Sequence, residues 1–331
     1  MKLLTLITPF SLLFISLHAA AQCELDTTTE LGGVSPTTLN IGQMRIAIDA
    51  DAPVDTVNPI IRLESNPQQG KISYVNCVPG ENYGKSVTEL LSTMLSDKMF
   101  ASNIDGLAIK PKWNNGEAEG SFPSVSVLNE ARMNYPSGSF FAIEIYKTKP
   151  TLSLTNTAGD LLHPGGIVAY NWVNAAIPSN YAQRLNLGAL SIISTPVCQI
   201  EGDKMVDFNI VTAGDLGGGV IRPLNFTLNC ATDYNTYSAS ATLSAQEITE
   251  DFKAIKVKDS QGNLDRLKIM ISDSNGTPMD TNGTSLEKRQ NIASNTPVEF
   301  NWTATLMPTS TTKFPANGQF TATAEIILQI N

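Results

Sequence analysis

The sequence is poor in charged residues, and this shortage limits the partners it can have. Asp, Glu, Lys and Arg make up 16% of the 331 residues, and acidic residues outnumber basic ones by 31 to 22. No basic cluster stands out anywhere along the chain. An acidic chain without a basic patch is a poor ligand for nucleic acid or for an anionic membrane, so we expect neither as a partner.

Histidine is also scarce, which narrows the chemistry that the chain can perform. Only His18 and His163 are present, and His163 stands beside Pro164-Gly165-Gly166, a turn sequence without a nearby nucleophile motif. We therefore expect no enzyme, no metal site and no cofactor. An exported glycosidase stays open as an alternative, because that chemistry needs only two carboxylates.

Long apolar runs are absent after the N-terminus. Lys2 precedes an apolar run from Leu3 to Leu17, and small residues follow at positions 19–21, which is typical of a cleaved secretory signal. We predict a signal peptide over residues 1–21 and a mature chain from about Gln22. The alternative of a membrane anchor is disfavoured, because the run is shorter than the roughly 20 residues that span a bilayer.

The chain has four cysteines, an even number in a secreted protein, so pairing is expected. Three connectivities are possible. We predict the local one, Cys23 with Cys77 and Cys198 with Cys230, because it leaves one bridge in each half of the chain. The rival metal site lacks a CxxC spacing and a nearby histidine.

Apolar residues alternate with polar ones through the second half, which predicts antiparallel strands. Asn or Gly between the runs, as in Asn275-Gly276 and Asn282-Gly283, suits tight hairpins. The last run reaches the end of the sequence and predicts a strand paired inside a sheet. The alternating sets are Val206, Phe208 and Ile210; Leu224, Phe226, Leu228 and Cys230; Leu267, Ile269 and Ile271; Val298, Phe300, Trp302, Ala304 and Leu306; and Phe320, Ala322, Ala324, Ile326, Leu328 and Ile330.

The first half is also β-like but less regular. One helix is predicted over 86–97, where Ser86 to Glu89 has the form of a capping box and an apolar face follows, made of Leu90, Leu91, Met94 and Leu95. An apolar connector from Leu187 to Pro196 separates the halves. We predict an all-β chain of two β-sandwich domains, residues 22–192 and 193–331.

Three stretches of the second half carry a family resemblance. They are Pro223 to Cys230 after the opening Cys198, Ala254 to Pro278 with its Asp-x-x-Gly-x-Pro-like turn, and Gly318 to Ala324 at the last predicted strand. In this order and spacing they resemble the fimbrial pilin domain of chaperone–usher systems. The family commonly has Tyr at the penultimate position, where this chain has Ile330.

The resemblance implies an incomplete immunoglobulin-like sandwich whose missing strand is supplied by other proteins. The implied partners are a periplasmic fimbrial chaperone, an outer-membrane usher and an adjacent subunit that donates a strand. The implied groove is bordered by the last strand, with Phe320, Ala322, Ala324, Ile326, Leu328 and Ile330. A shaft subunit would carry a donor segment before its first cysteine, whereas here a whole domain precedes Cys198.

The first half resembles adhesin domains of the type 1 fimbrial class more faintly, through Cys23, Cys77 and the stretches 146–150 and 159–169. The resemblance implies a tip adhesin at the bacterial surface that binds a host glycan or glycoprotein. Mannose-binding relatives carry Asn and Asp after the second cysteine, whereas Val78-Pro79-Gly80 follow here, so mannose is not predicted. A structural or initiator subunit that binds no receptor stays open as an alternative.

Sugar binding needs aromatic faces and amide or carboxylate groups on loops at one end of a sandwich. Each candidate also has an ordinary structural explanation, since Trp172 lies in an alternating strand and Asn-Asn-Gly is a common turn. The predicted ligand-binding residues are Glu81, Asn82, Tyr83, Trp113, Asn114, Trp172, Asn174, Asn180 and Tyr181.

Overall fold

The computed structural model describes residues 22–28 and 35–331, so the predicted signal peptide lies outside the described residues. Nearly all regular structure is β-strand. The described residues add one short α-helix, Ala213–Leu216, and one 3-10 helix, Glu89–Leu91. No helix in these ranges is long and apolar enough to cross a membrane.

The N-terminal half holds sixteen strands of the described chain. They are β1 (Glu24–Leu25), β2 (Thr37–Ile41), β3 (Met44–Asp49), β4 (Ile61–Glu64), β5 (Ile72–Val75), β6 (Asn82–Val87), β7 (Phe100–Ala101), β8 (Leu107–Asn114), β9 (Glu119–Ser121), β10 (Ser124–Val127), β11 (Met133–Tyr135), β12 (Phe140–Lys147), β13 (Asp160–His163), β14 (Gly166–Val173), β15 (Gln183–Leu187) and β16 (Leu190–Thr195).

Two five-stranded sheets dominate this half, in the orders β10-β6-β14-β15-β2 and β4-β12-β8-β7 with β9 beside β8. Their facing sides pack Leu, Ile, Val and Phe side chains into one core, including Phe141, Ile143 and Ile145 of β12. Burial of these large apolar side chains supplies the main stabilisation of the sandwich. Small sheets β1-β5-β11 and β13-β16-β3 complete it.

The C-terminal half holds eight further strands and forms two sheets, β17-β18-β23-β21-β20 and β22-β19-β24. In β18, β21 and β23 the predicted apolar residues are buried and alternate with more exposed polar ones, so these strand predictions are confirmed. The strands are β17 (Val197–Ile200), β18 (Val220–Ala231), β19 (Thr236–Ser244), β20 (Ile255–Val257), β21 (Leu267–Ser272), β22 (Asn282–Ala293), β23 (Val298–Pro308) and β24 (Glu325–Ile330).

Both predicted disulfides are confirmed. Cys23 is bonded to Cys77, and Cys198 is bonded to Cys230. The first bridge ties the start of the described chain to the segment after β5, and the second links β17 to β18, where the two cysteines are register partners. Each half of the chain therefore has its own covalent cross-link.

The prediction of a helix over 86–97 is wrong. Ser86 belongs to β6, where it pairs with β14, so it cannot cap a helix. Only Glu89–Leu91 makes one 3-10 turn, which is capped by Thr88, and Leu91 alone of the predicted apolar face is buried. Hydrogen bonding of β6 to β14 is favoured here over the helix that the local sequence pattern predicts.

The strand predicted at Val206, Phe208 and Ile210 is also wrong. Residues 201–209 have no regular structure; Phe208 is buried in the core, but Ile210 is 95% exposed. The alternation is real, yet no neighbouring strand is present to pair with this segment within the described chain.

Among the residues that the structure describes, no sheet combines strands before Pro196 with strands after it, so these residues fold as two β-sandwiches. The predicted boundary near residue 192 lies inside β16, which pairs in parallel with β3 from Leu190 to Thr195. We propose Pro196 as the boundary on this pairing.

The two sandwiches meet through the turn between β18 and β19. Asp233 in this turn is 1% exposed, and its carboxylate accepts hydrogen bonds from the Leu152 backbone N–H at 2.8 Å and the Ser194 hydroxyl at 2.7 Å. The Ser194 backbone N–H donates to the Tyr234 hydroxyl at 3.0 Å. Tyr234 also packs against the N-terminal core. We call Asp233 and Tyr234 the junction turn.

Candidate functional site

A large groove opens on the C-terminal sandwich, and core side chains form its floor. Its volume is about 1640 Å³, and Leu224, Phe226, Leu243, Ile269 and Leu306 are among the residues that line it. Side chains of this kind are normally covered by another element of the sandwich. These five side chains are 9% exposed or less, and the more exposed lining of the groove includes the half-buried Phe320, Ile326 and Leu328.

The strand β24 lies along this groove and has one free edge. In the described chain it pairs only with β19, from Ala239↔Ile330 to Ser244↔Glu325. Ile326 and Leu328 line the groove and are half-buried, while Ile327 on the opposite face is exposed. A free edge beside an apolar groove offers backbone hydrogen bonds and side-chain pockets to an added strand.

The last strand is shorter than predicted. It begins at Glu325, so Phe320, Ala322 and Ala324 line the groove without belonging to a strand of the sheet. Ala322 and Ala324 are exposed, and Phe320 is half-buried with its ring 6.4 Å from that of Phe208. The three apolar residues do line the groove, as the alternating pattern suggests, but their backbone does not pair with a strand of the sheet.

The segment 313–321, which we call the strap, explains this difference. It is held by the turn after β20 rather than by β19: the Asp259 carboxylate accepts the Ala316 N–H at 3.0 Å, and Ser260 donates to the Asn317 carbonyl at 2.7 Å. Backbone hydrogen bonds at 2.9 Å also run both ways between Lys258 and Thr321. These contacts direct the chain along the groove rim until Glu325.

In the N-terminal sandwich, several predicted ligand-binding residues gather at one end, beside the Cys23–Cys77 bridge. The Asn174 amide donates to the Cys23 carbonyl at 2.9 Å, and the Asn174 backbone N–H donates to the Asn82 carbonyl at 2.8 Å. Tyr83 and Trp113 pack on the apolar cluster that contains both cysteines. We call this region the disulfide end.

Three other predicted residues have mainly local roles in their turns. The Glu81 carboxylate accepts the Val78 N–H at 2.9 Å, the Asn114 side chain accepts the Gly116 N–H at 2.7 Å, and the Asn180 amide donates to the Val173 carbonyl at 2.8 Å. The Arg184 guanidinium lies over the ring of Tyr181, with its Cζ 4.2 Å from the ring centroid. Asn82 and Asn180 are exposed, so they remain available to a ligand.

Trp172, another predicted ligand-binding residue, lies inside the sandwich. Its side chain is buried, since the residue is 3% exposed, and its indole N–H donates to the Ser86 hydroxyl at 2.9 Å. The ring lies against Gly84, where a Cβ would stand 2.8 Å from it. The sequence pattern placed Trp172 in the correct strand but did not show that Gly84 makes room for its ring.

Sequence reasoning missed a buried polar network beneath the same end. The Gln183 amide donates to the Ser139 hydroxyl at 2.7 Å and to the side-chain carbonyl of Gln68, and it accepts from the Asn171 amide at 3.0 Å. Gln68 in turn donates to the carbonyl of Gly70 at 2.6 Å. These bonds tie the loops around Gln68 and Ser139 to the central strands β14 and β15.

His163 has both ring nitrogens engaged in structural contacts. Its Nδ1 accepts the Gly165 N–H at 3.0 Å, which leaves Nε2 to donate to the Leu90 carbonyl at 3.2 Å. The residue is buried, and burial lowers the pKa of the imidazole, while the Leu90 carbonyl partly opposes this effect. A neutral imidazole with two backbone partners is suited to fixing the loop, not to proton transfer.

The comparisons with known proteins point to one family. The model of the family described as fimbrial protein matches residues 190–331. No curated protein matches the chain. Among solved structures, the receptor binding domain of the plasmid-borne adhesin MrkD1P of Klebsiella pneumoniae is 18% identical, with a TM-score of 0.36, over 50% of this chain and 94% of that one.

Two solved tip adhesins match more of the chain. The CsuE tip subunit of Acinetobacter baumannii, solved with its chaperone CsuC, is 14% identical with a TM-score of 0.43, over 89% of this chain and 99% of that one. The CupB6 tip adhesin of Pseudomonas aeruginosa is 11% identical with a TM-score of 0.35, over 89% and 94%. The family match over residues 190–331 agrees with the resemblance that the second half of the sequence carries.

Proposed function

We propose that the chain is a fimbrial tip adhesin assembled by a chaperone–usher system. The C-terminal sandwich accepts a strand in its groove, first from a periplasmic chaperone and then, after passage through the outer-membrane usher, from the adjacent subunit. The N-terminal sandwich binds a glycan or glycoprotein on a host surface. The chain would then act at the fimbrium tip on the bacterial surface.

The observation that carries the proposal is the free edge of β24 beside an open apolar groove in a fimbrial protein domain. An added strand would gain backbone hydrogen bonds from this edge and would cover the half-buried side chains of Ile326 and Leu328. A second sandwich stands before Cys198, where a shaft subunit would carry its donor segment. The chain thus has a site that accepts a strand, while its N-terminal sandwich is free for another role.

The strand-accepting role is tested by two substitutions on the same strand. Leu328→Asp places a charge on the groove side of β24, whereas Ile327→Asp places it on the exposed side. Each variant is co-expressed with the cognate chaperone, and the yield of purified complex is measured. We expect Leu328→Asp to lose the complex and Ile327→Asp to keep it; equal yields from the two variants would contradict the role of the groove.

The receptor-binding role needs a separate measurement. The chaperone-bound chain is applied to cultured host cells before and after enzymatic removal of surface glycans. Retention on untreated cells supports an adhesin, and loss of retention after treatment assigns the receptor to the glycans. No retention on any host surface would favour the alternative of a structural or initiator subunit.

A further inference from the structure

Lys85 lies on the inner side of β6, at the rim between the two large sheets of the N-terminal sandwich. Its register partners are Asn171 of β14, which is fully buried, and Ser124 of the edge strand β10. Lys85 itself is half-buried. A lysine in such a place normally has a carboxylate partner, because burying an unpaired ammonium is costly.

No such partner is present for Lys85. Within residues 22–28 and 35–331, no carboxylate lies within 4.0 Å of its ammonium group, and no hydrogen bond to this group is formed. Burial, and then the positive charge of Lys98, lowers the pKa of Lys85.

The ammonium of Lys85 is held over the ring of Trp113, 5.3 Å from its centroid. Trp113 is fixed from another side by Tyr135, whose ring is edge-on at 5.8 Å. Gly120, the register partner of Trp113, leaves space for the ammonium, because a Cβ there would stand 2.8 Å from Lys85 Nζ. The cation–π contact positions the charge but gives it no acceptor.

The indole N–H of Trp113 is a second donor without a partner. Its Nε1 is buried and makes no hydrogen bond to the described residues. An unsatisfied buried N–H costs about 1 to 3 kcal/mol, so native structures usually supply an acceptor from protein, water or ligand. The Lys85 ammonium is the charged member of this pair of donors, and the acceptor that suits it carries negative charge.

We propose that Lys85 and Trp113 form a subsite for the anionic group of an acidic glycan, either a carboxylate or a sulfate. This inference rests on the proposed receptor-binding function and specifies its ligand class. The ammonium contributes the charge, and the Trp113 ring beneath it holds that charge in position. A neutral sugar would leave the charge of Lys85 uncompensated.

The test uses the full chain, purified with its chaperone, on beads carrying lactose, 3′-sialyllactose or 3′-sulfolactose. We expect retention on one or both acidic sugars and little on lactose, with retention falling as salt rises. Retention on sialyllactose alone assigns a carboxylate, and retention on sulfolactose alone assigns a sulfate. Equal retention on lactose would overturn the inference.

Substitutions connect the effect to the two residues. Lys85→Met keeps the length of the side chain and removes the charge, and Trp113→Phe keeps an aromatic ring and removes the N–H. We expect at least a tenfold loss of acidic-sugar retention for Lys85→Met and a smaller loss for Trp113→Phe. Lys149→Met is the matched control, because Lys149 is exposed and paired with Asp105.

The variants are first compared with the parent chain by circular dichroism and thermal unfolding, so that a folding defect is recognised. If folded Lys85→Met binds acidic sugars as the parent does, the subsite assignment is wrong. If the parent chain binds host cells but none of the three sugars, the inference fails while the adhesin proposal stands. If it binds neither cells nor sugars, both fail.

Discussion

At the residue scale, His163 shows how a rare titratable group is used for structure. Its two ring nitrogens hold the Gly165 N–H and the Leu90 carbonyl, which joins the loop after β13 to the turn after β6. The arrangement requires the neutral imidazole. Protonation would give Nδ1 a hydrogen that points at the Gly165 N–H.

This arrangement predicts a dependence of stability on pH. Folding lowers the pKa of His163, so the unfolded chain binds a proton at this imidazole more readily than the folded chain does. The folded state therefore loses stability relative to the unfolded state as the pH falls from about 6.5 towards the folded pKa. We expect His163→Gln to show a smaller fall in Tm between pH 7.5 and pH 5.5 than the parent chain. An unchanged pH dependence in the variant would assign the effect to other groups.

Asp233 is the residue on which contact between the sandwiches depends most. Its carboxylate accepts two hydrogen bonds from the N-terminal sandwich at a site closed to water. Since hydrogen bonds to charged groups contribute about 1.5 to 3 kcal/mol each, loss of both in Asp233→Ala should lower the free energy of unfolding by about 3 to 6 kcal/mol. Urea denaturation measures the change.

The control for this prediction is Asp265→Ala. Asp265 forms an exposed ion pair with Lys313, and solvent screening leaves such pairs little effect on stability. If the two variants lost the same stability, the junction turn would not have the role assigned to it. Separate unfolding steps in Asp233→Ala, where the parent chain shows one, would indicate that the turn couples the two sandwiches.

At the element scale, the strap and β24 show where sequence patterns stop being informative. Alternation from Phe320 to Ile330 predicted one continuous strand, but pairing with β19 starts only at Glu325. Alternation records which side chains face apolar surroundings and does not specify a hydrogen-bonded neighbour. The contacts of Asp259 and Ser260 with the strap join positions more than fifty residues apart, and no local pattern reports them.

The burial pattern of each strand decides how well the sequence predicts it. Strands β18, β21 and β23 were predictable because each has a buried and an exposed face. The central strand β14 is buried throughout most of its length, so alternation could not show which face Trp172 occupies. Lys85 and Asp233 were missed because their roles arise from neighbours on other elements, Trp113 and Ser194.

At the scale of the whole molecule, the two candidate sites belong to different sandwiches and are well separated. Strand β12 runs from Phe140, which pairs with Asn114 near the disulfide end, to Lys147, after which the chain leads to Leu152 at the junction turn. The disulfide end and the junction turn therefore lie at opposite ends of the N-terminal sandwich. The proposed ligand binding and the proposed strand acceptance would therefore use different surfaces.

The central claim is that the C-terminal sandwich is completed by a strand from another protein. The most direct measurement is expression of the chain in the periplasm with and without its cognate chaperone, followed by purification and determination of the stoichiometry. We expect the chain to be degraded or to aggregate when it is expressed alone, and to form a stable one-to-one complex when the chaperone is present. A stable monomer without any partner would contradict the strand-accepting groove and, with it, the assignment of the chain as a fimbrial tip adhesin.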